Sequence, residues 1–156
     1  MIGGVEFGGT KCIIAVAHSP LDIIEKRVIS TRDPASTFFD IISFFDKFKI
    51  NKLGVGAFGP IILDEKSTDY GLLVSESKRD WKDVNIVTEL SKSLGVNIFI
   101  DTDVNAAAIG EHYYGVGKSC QTLVYVTVGT GIGVGVLLDG KPHIGNFHLE
   151  IGHMQI

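Results

Sequence analysis

Cysteine is scarce: Cys12 and Cys120 stand far apart in 156 residues, beside four prolines and a single tryptophan. So few cysteines exclude a disulfide-stapled scaffold, and reduced thiols are the expectation. Met1 to Val5 carry no basic n-region and Glu6 interrupts any apolar h-region, so no secretory leader is expected and the chain reads as cytoplasmic. No apolar run approaches the ~18 residues that cross a bilayer, so no membrane partner is expected. Lysines and arginines are scattered, and the net charge is −4. Nucleic acid is therefore not an expected partner. With 45% hydrophobic residues the chain is not disordered; it has material for one soluble domain or two small lobes.

Glycine, by contrast, is abundant, and the 19 glycines gather at the ends of strand-like runs. That placement points to backbone contact with a ligand rather than to flexible linkers. Gly8-Gly9-Thr10-Lys11 and Gly129-Thr130-Gly131 each follow one apolar run and precede another. Successive glycines let amide N–H groups converge without Cβ interference, and the threonine hydroxyl adds a donor, so each turn can hold phosphate oxygens. Two such turns suggest a nucleotide held from both sides.

The periodicity predicts strands over Ile2 to Phe7, Cys12 to Ala17 and Ile24 to Ser30. Asp33 can cap a helix with Pro34 in its first turn, and Phe38, Ile41, Ile42, Phe45 and Phe48 recur at helical spacing as a core stripe. A strand from Lys52 to Ala57, a helix from Asp83 to Ser93 and a strand from Val96 to Ile100 follow. A further helix opens after Asp101-Thr102-Asp103 and ends at Gly115. Thr122 to Val128 and Gly133 to Leu138 form a hairpin around the second glycine turn. Antiparallel strands followed by strand-helix alternation predict a mixed-sheet α/β domain over residues 1–118, with 119–156 opening a second lobe.

Some motifs fail in context. Gly54-Val55-Gly56-Ala57-Phe58-Gly59 spells a dinucleotide fingerprint, but Pro60 stands where its helix should begin. Gly117-Lys118-Ser119 imitates a P-loop end in inverted order, after a helix and before a strand. His143, His148 and His153 are five apart, a spacing that fits neither a helix face nor a strand face.

Others keep two readings open. Gly8 to Lys11 is either a phosphate hairpin, with Glu6 placed to organise Mg²⁺ through waters, or an ordinary β-turn. The alternating glycines from Gly129 to Gly135 leave one strand face bare, open to a flat group or a phosphate. Asp103, at a helix N-terminus, is either an ionised general base or an N-cap, with Asp101 as the rival carboxylate.

Taken in order, Glu6 with Gly-Gly-Thr-Lys, the central Thr-Asp-Val-Asn-Ala-Ala-Ala, the Val-Gly-Thr-Gly-Ile-Gly hairpin and the terminal Glu150-x-Gly-His153 resemble the ROK sugar kinases (repressor, open reading frame, kinase). Glu6, Thr102 and the Gly56 to Ile61 segment lean toward the bacterial fructokinases of that family. The resemblance implies an actin-like ATPase, ribonuclease-H-like fold of two lobes. It implies ATP and Mg²⁺ as cofactors and a hexose, fructose foremost, as substrate. Asp103 would take the sugar's proton, and Gly8, Gly9, Thr10, Lys11, Gly129, Thr130 and Gly131 would hold phosphates. Gly59, Pro60, Thr102, Asp103, Glu150 and His153 would meet the sugar, Glu6 the Mg²⁺ through water, and His153 would be one Zn²⁺ ligand in a longer chain.

Chains of the resembled family continue past Glu-x-Gly-His through a cysteine-rich zinc segment and further helices. The expectation is therefore a fragment of a kinase lacking a complete site; the alternative is a non-catalytic sugar-binding or assembly module. An apolar, glycine-rich terminal hairpin predicts self-association or a homodimer.

Overall fold

A computed structural model describes residues 1–74, 78–129 and 131–144. The chain forms two compact units, Met1–Asp101 and Thr102–Ile156.

The first unit is built on a five-stranded sheet. Its strands are β1 (Ile2–Phe7), β2 (Lys11–Ser19), β3 (Asp22–Ser30), β4 (Lys52–Ala57) and β5 (Asn97–Thr102), in the order β3-β2-β1-β4-β5. β1 pairs antiparallel with β2 and parallel with β4, so the sheet is mixed, as the sequence predicts. Register puts Val5 opposite Ile14 and Val55, and Phe7 opposite Cys12 and Ala57. Paired residues share a face of a pleated sheet, so these six side chains make one buried surface. Glu6, one residue out of phase with them, is exposed.

That surface is covered by α1 (Pro34–Phe45) and α2 (Ile86–Leu94). Asp33 caps α1 by accepting from the Ser36 amide at 2.9 Å, and Pro34 occupies the first turn, where its missing N–H costs no helical bond. Phe38, Ile41 and Phe45 are buried as the stripe predicts; Phe44 joins them, while Ile42 and Phe48 pack at the margin. Each such side chain contributes roughly 1.5–3 kcal/mol by burial. The second helix begins three residues later than expected. Asp83 sits at φ 62°, which a helical N-terminus does not use, and Asn85 is the cap, accepting from the Thr88 amide at 2.8 Å. β5 runs two residues past the expected end, and the Tyr70 hydroxyl meets both the amide and the carbonyl of Ile100 on it.

The second unit holds α3 (Asp103–Tyr114) and an antiparallel sheet of β6 (Thr122–Val128), β7 (Ile132–Leu138) and the short β8 (Lys141–Pro142). α3, which the sequence reading placed in the first lobe, packs on β7 and β6 and buries Val104, Asn105 and Ala108. Val124, Val126 and Val128 alternate along edge strand β6 and are exposed. Among the described residues no helix is long and apolar enough to cross a membrane.

Candidate functional site

The first glycine turn leaves the carboxyl end of β1. In the parallel neighbour β4, Phe7 is level with Ala57, and the Phe58 amide donates to the Phe7 carbonyl at 2.9 Å. Gly8 to Lys11 and Phe58-Gly59-Pro60 are therefore side-by-side exits from adjacent strands, the position where α/β sheets place ligands. The Gly59–Pro60 bond is cis. No helix follows it, in keeping with rejection of the dinucleotide fingerprint.

The turn is closed by the Gly8 amide, which donates to the Lys11 carbonyl at 3.1 Å. A Cβ on Gly8 would lie 2.6 Å from that same oxygen, so only glycine closes it this tightly. The three carbonyls that follow are tied down by distant residues. Thr31 Oγ1 donates to Gly8 O at 2.7 Å, Lys78 Nζ donates to Gly9 O, and the Thr31 amide donates to Thr10 O at 2.9 Å. Among the described residues the Gly9 and Thr10 amides donate to no acceptor. Two adjacent N–H groups with no acceptor among the described residues fit phosphate oxygens.

Sequence reasoning missed Thr31 and Lys78. The Lys78 ammonium also lies 5.2 Å from the centre of the Phe58 ring, and Phe58 packs on Phe7 and Trp81. Trp81 Nε1 donates to Arg32 O at 2.9 Å, which holds the chain just after Thr31. An open cavity of about 450 Å³ adjoins these residues, lined by Thr31, Arg32, Lys78 and Trp81 among others. Cys12 is fully buried beside the turn, and burial pushes its thiol pKa up despite a 3.2 Å contact with Thr31 Oγ1.

In the second unit, α3 carries Asp103 as its first residue. The cap is Thr102, whose hydroxyl accepts from the Asn105 amide at 3.2 Å, so the N-cap alternative for Asp103 does not describe its place. Asp103 Oδ1 accepts from the Val104 amide at 2.9 Å. Gly129 and Gly131 lie in the three-residue connection between β6 and β7, where added Cβ atoms would meet open space.

The bare strand face is not open to a ligand. At Gly135 a Cβ would stand 2.4 Å from Val104 O, and at Gly133 one would stand 2.7 Å from Val104 Cγ1. The first turn of α3 occupies that face, which corrects the expectation of a flat group or phosphate there. The alternating glycines instead let the helix backbone approach the strand closely.

Thr130, Glu150 and His153 lie outside the described residues. Among the described residues no cluster of three metal-ligating side chains forms, and Glu6 is a single carboxylate. A Mg²⁺ ion held mainly by waters and substrate phosphates requires no more than that.

Comparison with known proteins places these features in a family. The sequence pattern of the ROK family matches residues 2–156. The chain is 39% identical to the fructokinase of Zymomonas mobilis, an alignment covering 97% of the chain and 52% of that protein. It is also 39% identical to a Lactococcus lactis fructokinase, over 99% of the chain and 52% of that protein. A ROK family glucokinase from Streptomyces griseus, solved with glucose and AMPPNP, superposes with a TM-score of 0.80 at 25% identity, over 99% of this chain and 50% of that one. The fold is therefore the actin-like fold of ROK sugar kinases. The chain spans about half the length of the curated relatives it matches.

Proposed function

The chain belongs to the ROK family, and from that premise we propose that it is part of an ATP-dependent hexose kinase that converts fructose to fructose 6-phosphate, with Asp103 as general base. One observation carries the reading: Gly133 and Gly135 seat the first turn of α3 directly on β7. The carboxylate that receives the proton and the glycine turn that receives a phosphate thereby belong to one packed piece.

On this reading the sugar rests against Gly59, Pro60 and Thr102, with Glu150 and His153 on its hydroxyls. Asp103 accepts the proton of the attacking hydroxyl as its oxygen bonds to the γ-phosphorus and the bond from that phosphorus to the ADP oxygen breaks. ATP supplies the phosphoryl group, and Mg²⁺, organised through waters by Glu6, offsets its charge. The turns Gly8 to Lys11 and Gly129 to Gly131 bind phosphates, the first through the Gly9 and Thr10 amides, which need no reorganisation as charge shifts. His153 is a Zn²⁺ ligand in the longer protein. The cytoplasm is the site of action, and the exposed valines of β6 support self-association of this chain.

Phosphorylation of fructose, glucose and mannose by the longer protein tests the proposal. Turnover led by fructose and reduced about a thousandfold or more in Asp103→Ala is the expected result, since general-base catalysis contributes about 10²–10⁴-fold. A longer protein that binds fructose yet transfers nothing to any hexose would instead be a sugar-binding module.

A further inference from the structure

We propose that Thr31 is a positioning residue for the first glycine turn, acting with Lys78 to aim the Gly9 and Thr10 amides. The inference rests on the reading of that turn as a phosphate cradle.

Its physical basis is peptide geometry. In a planar trans peptide the C=O of one residue and the N–H of the next lie in one plane and point in opposite directions. A bond that holds a carbonyl therefore also aims the following amide. Thr31 Oγ1 holds Gly8 O, which aims the Gly9 N–H; Lys78 holds Gly9 O, which aims the Thr10 N–H. The Thr31 amide holds Thr10 O and so aims the Lys11 N–H. The Gly9 and Thr10 amides are the two with no acceptor among the described residues. The braces thus act on the groups that the cradle presents.

The braces come from far along the chain. Thr31 is 23 residues from Gly8 and Lys78 is 69 from Gly9, so neither bond is a by-product of the turn. Glycine makes the turn possible but leaves it free to take many other conformations. Side chains anchored in the fold remove that freedom before the ligand arrives.

Thr31 is itself held. Its hydroxyl has one proton, and the Gly8 carbonyl can only accept, so that proton lies in the Gly8 bond. The 3.2 Å contact with Cys12 is then a thiol donating to the hydroxyl oxygen. A fully buried thiol that keeps its proton suits this relay from Cys12 through Thr31 to Gly8.

The test is steady-state kinetics of the longer protein carrying Thr31→Val, Thr31→Ser or Lys78→Met. Valine keeps the shape and the backbone bond but deletes the hydroxyl. The expected result is a rise in KM for ATP of about three- to tenfold for Thr31→Val and Lys78→Met, the scale of one hydrogen bond. KM for the sugar stays within about twofold of wild type, and Thr31→Ser restores the ATP value. Equal ATP KM in folded Thr31→Val and Lys78→Met, or parallel rises in both KM values, overturns the inference. If Thr31→Val does not fold, Lys78→Met decides by the same criterion. If the wild-type protein phosphorylates no hexose, the kinase reading fails by itself, and the brace is then judged by calorimetry with pyrophosphate. Weaker pyrophosphate binding by Lys78→Met than by wild type sustains it; equal or absent binding in both overturns it.

Discussion

Gly135→Ala puts the seating of Asp103 to the test with a single methyl group. The added Cβ would lie 2.4 Å from Val104 O, 2.8 Å from Val104 C and 3.1 Å from Asn105 N, all of them backbone atoms of the first turn of α3. None can swing aside as a side-chain tip does. Ordinary contact begins near 3.4 Å, so helix and strand must separate by about 1 Å. Overpacking of this kind costs about 1–3 kcal/mol of stability. The effect on catalysis is of similar size in free energy, because a displacement of about 1 Å in a catalytic group can cost about 10²-fold in rate. The expected outcome in the longer protein is kcat near one hundredth of wild type, with a lowered melting temperature. Gly110→Ala, on the same helix, is the control: its Cβ meets nothing within 4 Å, and a mid-helix alanine should add roughly 0.5–1 kcal/mol of stability without changing the rate. Gly135→Ala with wild-type kcat and stability would refute the reasoning.

Two further outcomes follow from burial and exposure. The folded-state pKa of Cys12 is raised above its ordinary 9.0, chiefly by burial, so its contribution to stability is fully present below the unfolded value and is lost as pH rises through the folded one. Urea melts of wild type and Cys12→Ser should therefore diverge above about pH 9; parallel curves across that range would remove the buried-thiol argument. Val126→Lys places a charge in the exposed row of edge strand β6 and should reduce self-association of the chain, read by light scattering across concentration. A wild-type chain that stays monomeric throughout would count against that part of the proposal.

Local signals were read correctly where the interactions themselves are local. β1, β4 and β6 have the bounds that apolar patterning predicts, and Asp33 caps α1 with Pro34 behind it. The start of α2 falls later than the pattern predicts because Asp83 and Asn85 both suit a helix start, and only the left-handed backbone at Asp83 separates them. Phe44 was passed over in favour of Ile42, since neighbouring positions on one helix are told apart only by what packs against them. Of the candidate site, the two glycine turns and Asp103 are proposed from residue type and order. Thr31 and Lys78 are not, because Thr31 reaches the turn only through the register of β3 on β2 and Lys78 only through the tertiary fold.

The glycine alternation from Gly129 to Gly135 shows where the division falls. By itself the sequence determined that one strand face would lack side chains, since strand periodicity is a property of the local backbone. Only tertiary structure decided what fills it: the first turn of α3, brought there by burial of Val104 and Ala108. In the same way the sequence determined a turn free of Cβ atoms at Gly8 and Gly9, while the fold decided which way its amides point. Conformational freedom is encoded residue by residue, whereas its removal requires donors that arrive from elsewhere in the chain.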